Sequence, residues 1–174
     1  LGGFFHHRRH IADVVEHVNR LAPDLLVFTG DMVHNFSEEV DPFLDILGRL
    51  EAPLGKFAIL GNHEIYAGAE RCRKLMRDSG FVVLDDAAAE VTPGLWVAGV
   101  PDSGRGPGTD GLDGALERAL SEVEEGSAVI YLQHAPGNEK ATAAAGVGLP
   151  RAGRRRYGGE KGQRDDKARH PEHG

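Results

Sequence analysis

With 174 residues, 40% of them hydrophobic, the chain is long enough for one domain with a real core and too short for two. One cysteine, Cys72, excludes an internal disulfide framework, no stretch approaches the length of a membrane-spanning helix, and nothing resembles a signal peptide. The net charge of -7 divides unevenly, with eight Lys/Arg and four Asp/Glu in residues 151–174 against twelve and twenty-three in residues 1–150, and so acidic a body argues against nonspecific nucleic-acid binding.

Ile11, Val14, Val15, Val18 and Leu21 recur at helical spacing and predict an amphipathic helix over 8–21. It feeds a strand at 24–29 whose continuous apolar run, with Pro23 before it and Gly30 after, reads as buried on both faces. Ser37 as an N-cap and the stripe Val40, Phe43, Leu44 and Leu47 predict a second helix, with Pro42 tolerable near its first turn. Residues 57–60 form the next strand, and Ala69, Cys72, Leu75 and Met76 mark a helix over 68–79 that stops at Gly80. Cys72 lies inside that pattern and reads as buried filler. Residues 81–84, 87–91 and 95–100 are β-formers, the last two joined through Pro93-Gly94 as a hairpin. The glycine-rich 103–111 reads as a linker, residues 111–124 as a helix, and 128–132 as a further strand. From Leu149 onward the chain lacks any periodicity and reads as a disordered basic tail, 149–174.

Three strands end in polar groups. Asp31 follows Gly30, Asn62 follows Gly61, and His134 closes the strand at 128–132. Open α/β sheets place ligand sites at such ends. Each residue alone has an ordinary explanation as a turn residue, a cap or a hydrogen-bonded side chain. Three oxygen and nitrogen donors converging on one crevice suit Mn, Fe or Zn with open positions better than an all-oxygen cage.

The spelling of these ends, "GDMV" at 30–33, "GNHE" at 61–64 and "QHAP" at 133–136, resembles the motifs of the calcineurin-like metallophosphoesterases. The surrounding "PDLLVFTGD", "APLGKFAILGNHEIYAGA" and "PGLWVAGVPD" are similar to a branch containing membrane-associated phosphodiesterases and UDP-diacylglucosamine hydrolases. The resemblance spans about residues 1–148. It implies an α/β fold, a layered α-β-β-α sandwich, and hydrolysis of phosphomonoester, phosphodiester or pyrophosphate bonds at two divalent metal ions. By the same resemblance Asp31 bridges the metals, Asn62 and His134 ligate the second, His63 contacts phosphate and protonates the leaving oxygen, and Glu64 is the supporting acid behind it. The implied substrate is a small-molecule or lipid-linked phosphoester, with no specific nucleic acid. The address is cytoplasmic or membrane-associated, the latter through a segment ahead of Leu1.

Two family motifs are absent. The D-x-H that normally ends the first strand would precede "LGGFF", and the G-H-x-H expected after "AAAGV" is replaced by "GLPRAGRRRYGG". His6, His7 and His10 fall in a loop and helix start, suited to solvent or substrate contact, and His170 and His173 belong to the tail. These departures read as an incomplete domain, truncated at the start and frame-shifted near residue 148, holding one metal in place of two. The alternative is a noncatalytic fragment or degenerate α/β binding module. An α/β-hydrolase is a poor third reading, since the chain has no G-x-S-x-G elbow.

Overall fold

The computed structural model describes residues 2–33, 43–102 and 110–135. Helix α1 (Gly2–Arg20) leads into strand β1 (Leu26–Phe28), the single-turn helix α2 (Leu44–Leu47) and strand β2 (Lys56–Ala58). Helix α3 (Asn62–Asp78), the short β3 (Val82–Val83), the hairpin of β4 (Ala87–Thr92) and β5 (Leu95–Val100), helix α4 (Asp110–Leu120) and β6 (Ala128–Gln133) complete the order. The strands form two sheets of three. In the first, β1, β2 and β3 run parallel in that order; in the second, β5 lies between antiparallel β4 and parallel β6.

Strand alternation turns these sheets into four layers. Phe57 and Ile59, with Leu84 just past β3, point from the first sheet to the second, where Val97 and Leu132 meet them in a buried cluster. The intervening Ala58 and Leu60 face the other way, against Cys72, Leu75 and Met76 of α3. In the second sheet Ala98, Val100 and Tyr131 pack outward on Ala115, Leu116 and Ala119 of α4. The result is the α-β-β-α sandwich with helices outside. Each large side chain fully buried here contributes about 1.5–3 kcal/mol relative to exposure.

Several expectations are corrected. The run at 24–29 is not buried on both faces: among the described residues β1 pairs only with β2, and Val27 is 41% exposed. An edge strand and a central one carry the same apolar run, so composition alone does not separate them. Helix α1 takes in the "HHRRH" stretch that was read as a loop and helix start, and His10 lies exposed on it. Of its predicted stripe only Val15 is buried, because Val14 and Leu21 border an apolar groove of about 550 Å³ between α1 and β1.

Helix α3 begins at Asn62, not at 68. Its φ of 113° at Gly68 breaks the helix into two segments, of which only the second carries the predicted stripe. Cys72 is buried as filler. Helix α4 ends at Leu120, short of the predicted 124. Ser37 and Val40 of the second predicted helix, residues 103–109 of the predicted 103–111 linker and the tail lie outside the described residues, and the linker's last two positions already belong to α4. No described helix is long and apolar enough to cross a membrane.

Candidate metal centre

The site lies where the two sheets end side by side. The Asp102 N–H at the end of β5 donates to the Leu60 carbonyl just past β2, at 2.9 Å, tying the strand ends together. Two glycine turns then come into van der Waals contact. Gly30, in left-handed conformation at φ 97°, lies so close to Gly61 that a Cβ on it would overlap the Gly61 backbone. Glycine is required there both for its φ and for the space. Asp31 follows at φ 64°, a region Asp enters more readily than most residues.

This turn directs the Asp31 carboxylate across the site. Its Oδ1 accepts the His63 backbone N–H at 3.3 Å, and its Oδ2 lies 3.3 Å from Nε2 of His134. The same Nε2 is 3.2 Å from Oδ1 of Asn62. The predicted trio Asp31, Asn62 and His134, drawn from three strand ends, thus meets around one point. The Asp31 side chain is 37% exposed and that of His134 19%, so the point is open to solvent from one side.

The hydrogen bonding of His134 fixes its chemistry. Its Nδ1 is 2.7 Å from the Thr29 carbonyl oxygen, which can only accept, so Nδ1 carries a proton. In the neutral ring Nε2 then presents a lone pair toward a carboxylate oxygen and an amide oxygen. In that form three electron-pair donors face one another, an arrangement that a divalent cation between them would satisfy. A histidine whose other nitrogen donates to a backbone carbonyl is also the usual arrangement of a metal ligand. The donor set therefore fits the metal that the resemblance implies. Among the described residues no group of three or more His, Cys, Asp or Glu gathers to hold a metal, and here the third donor is the Asn62 amide.

His63 and Glu64 share the first turn of α3 with Asn62 but face differently. His63 is half-buried beside Asp31, whereas Glu64 is fully buried and turned inward. Glu64 Oε2 accepts the N–H groups of Asp31 and Gly61, at 2.7 and 2.8 Å, and Oε1 accepts those of Met32 and Val33, at 2.5 and 3.0 Å. The link to Gly61 is the carboxylate half of a capping box, a residue at the third helical position reaching back to the N-cap amide. His170 and His173 lie outside the described residues, as do the side chains of His6 and His7.

Two features went unread in the sequence. The Thr29 carbonyl orients His134, and no side-chain pattern signals a backbone acceptor. Gly61 is needed for space: a Cβ there would overlap Oδ1 of Asp31 and come within 2.9 Å of the His134 ring.

A layered α/β sandwich with carboxylate, amide and imidazole at its strand ends defines a class of metal-dependent hydrolase scaffolds, and the comparisons with known proteins narrow it. The calcineurin-like phosphoesterase family matches residues 5–160, and the chain belongs to that family. It is 41% identical over 129 residues, 71% of its length and 49% of the relative's, to an uncharacterized metallophosphoesterase of Aquifex aeolicus. It is 29% identical over 140 residues, 74% of its length and 31% of the relative's, to a Danio rerio transmembrane protein with a metallophosphoesterase domain. A shorter match, 48% over 48 residues, covers 27% of the chain and 15% of the UDP-2,3-diacylglucosamine pyrophosphatase LpxG of Chlamydia muridarum. The chain spans between a third and a half of the length of the three metallophosphoesterases from Aquifex and Helicobacter that it matches. Membership of this family supports phosphoester hydrolysis in general.

Proposed function

We propose that the chain is a phosphoesterase domain that cleaves phosphomonoester, phosphodiester or pyrophosphate bonds at a dinuclear centre of Mn, Fe or Zn. The observation that carries this reading is the convergence of Asp31 Oδ2, Asn62 Oδ1 and His134 Nε2 while Nδ1 of His134 is committed to Thr29. Asp31 would serve both metals as a common ligand, and Asn62 and His134 would hold one of them. When bound, the cations supply Lewis-acid polarisation of the phosphoryl group and acidify the attacking water.

The remaining steps rest on this chain's own residues. His63 binds a phosphoryl oxygen and protonates the leaving oxygen as its charge develops. The Asp31 carboxylate is held by the His63 N–H, so the shared ligand and the acid are set by one backbone contact. The names of the Chlamydia and Danio relatives support a lipid-linked phosphoester as substrate and a site of action near a membrane.

A second reading, a noncatalytic binding module of the same family, is favoured by the donor count: one carboxylate, one amide and one imidazole meet among the described residues. Metal content by elemental analysis, paired with hydrolysis of bis(p-nitrophenyl) phosphate in added manganese, separates the two. Under the enzyme reading Asp31→Ala loses metal and turnover together. His63→Ala keeps its metal and loses about 10²–10⁴-fold in rate. Equal metal content in wild type and Asp31→Ala overturns the ligand assignment.

A further inference from the structure

Glu64 sits where a proton donor to substrate cannot operate. It is fully buried, and four backbone N–H groups point at its two oxygens. Three of these come from consecutive residues 31–33 and the fourth from Gly61, so a single carboxylate spans the two turns that carry Asp31 and Asn62. Burying a carboxylate is unfavourable unless hydrogen bonds replace water, and four donors do so here. The donors are also the amides that secondary structure leaves unpaired, those of the turn after β1 and the one preceding α3.

We infer that Glu64 is a positioning residue: it holds the left-handed Asp31 turn against the first turn of α3 and thereby sets the distance between the Asp31 carboxylate and the Asn62 amide. The inference rests on the phosphoesterase reading and deepens it, reassigning Glu64 from supporting acid to the tie beneath the metal ligands. The geometry leaves few alternatives. Gly30 and Gly61 are in backbone contact and place no side chain between the two turns, so besides the His63 N–H on Asp31 Oδ1 the Glu64 carboxylate is what joins them directly. Without the carboxylate, the Asp31 N–H loses its acceptor and only the long bond from the His63 N–H keeps the side chain in place, so Oδ2 is expected to drift from His134.

The test compares wild type with Glu64→Gln and Glu64→Asp in the full chain. The amide of Glu64→Gln keeps shape but sets an NH₂ against one pair of N–H donors, whichever way it is turned. Mn²⁺ affinity is expected to fall about 10–100-fold, the usual effect of losing a group that supports a ligand. The visible spectrum of the Co²⁺ form shifts with the altered ligand geometry. Glu64→Asp, still a carboxylate, recovers part of the affinity. The pH limbs of turnover at saturating Mn²⁺ stay in place, whereas removal of an acid would abolish one limb and leave metal affinity intact. That second pattern, or unchanged Mn²⁺ affinity in Glu64→Gln, overturns the inference.

Amide hydrogen exchange on wild type covers the case in which the variants do not fold. The Met32 and Val33 amides should be strongly protected, and exchange at unprotected rates in the folded protein overturns the tie directly. Absence of Mn²⁺ binding by wild type, with those amides protected, refutes the phosphoesterase reading and with it the role in metal positioning. Binding by wild type with unprotected amides refutes the Glu64 tie alone.

Discussion

The Nδ1–H of His134 donates to the Thr29 carbonyl at 2.7 Å, joining the end of β6 to the residue just beyond β1. This bond holds the ring with Nε2 turned toward Asp31 and Asn62, and in the neutral ring it leaves the lone pair there. His134→Ala is therefore expected to remove metal without unfolding the sandwich, because the side chain takes no part in the three buried clusters. Replacing Nε2 with a weaker donor, as in His134→Gln, should lower Mn²⁺ affinity by about 10-fold or more. Titration by isothermal calorimetry, with circular dichroism to check the fold, measures both. Unchanged affinity in His134→Ala would remove the imidazole from the ligand set.

Gly61→Ala is expected to damage the site more than the fold. The backbone there is ordinary extended chain, φ -86° and ψ -180°, so alanine meets no conformational penalty. The obstacle is space, since the new methyl overlaps the Asp31 carboxylate and lies within 2.9 Å of the His134 ring. Two of the three donors must move. Metal affinity should fall about 10-fold or more while the melting midpoint shifts by only a few degrees. Parallel calorimetry and thermal melts would show it, and a loss of stability with intact affinity would place the strain elsewhere.

What was legible in the sequence depended on period and spelling. The apolar runs of β2, β5 and β6 and the stripes on α3 and α4 follow from spacing, whereas the pairing of two sheets with helices outside came from the family resemblance carried by the motif spelling. Asp31, Asn62 and His134 were readable because each follows a strand. The start of α3 was not, because Gly68 at φ 113° interrupts the helical period after one turn and hides the segment that bears Asn62, His63 and Glu64. The exposure of Val27 was equally hidden, since an apolar run reports hydrophobicity and not the number of neighbouring strands. Glu64 illustrates a third limit. Its motif position suggests chemistry, but its partners are backbone amides, which every residue possesses and no pattern distinguishes.

The Arg8–Asp45 pair, which ties α1 to α2 with two bonds at 3.0 and 2.8 Å, gives a pH dependence with a definite sign. The hydrogen bond from Arg8 is the main cause holding the Asp45 carboxyl below its ordinary value of 3.8, and the charges of Arg8 and Arg49 act in the same direction. A carboxyl lowered in the folded state contributes stability that is fully present above the unfolded value and is lost as pH falls through the folded one. Asp45→Asn should thus be less stable than wild type at about pH 6 and nearly equal to it at about pH 2. The pair is exposed, so the difference is small and shrinks with added salt. Urea denaturation of both proteins at the two pH values checks the sign, and a gap that widens in acid would contradict it.

Gly99 tests how closely the two sheets meet. A Cβ at this position would lie 2.5 Å from Cγ2 of Ile59 and 2.8 Å from Cβ of Leu84, both on the facing sheet. Gly99 is paired on both sides within β5 and has no left-handed φ, so the added methyl acts through sterics rather than backbone conformation. Forcing an extra carbon into a close-packed layer costs about 1–3 kcal/mol, and Gly99→Ala should unfold at correspondingly lower urea. The collision is specific enough to predict a coupling. Ile59→Leu shifts the branch and removes Cγ2, so Gly99→Ala should cost less in that background than in wild type, and the double variant should be more stable than the two separate losses imply. The Leu84 contact remains, so the rescue is partial. Simple additivity of the two changes would mean that the sheets separate to accept the methyl, and that the inter-sheet layer is not the rigid element that holds the ends of β2 and β6 together at the candidate metal centre.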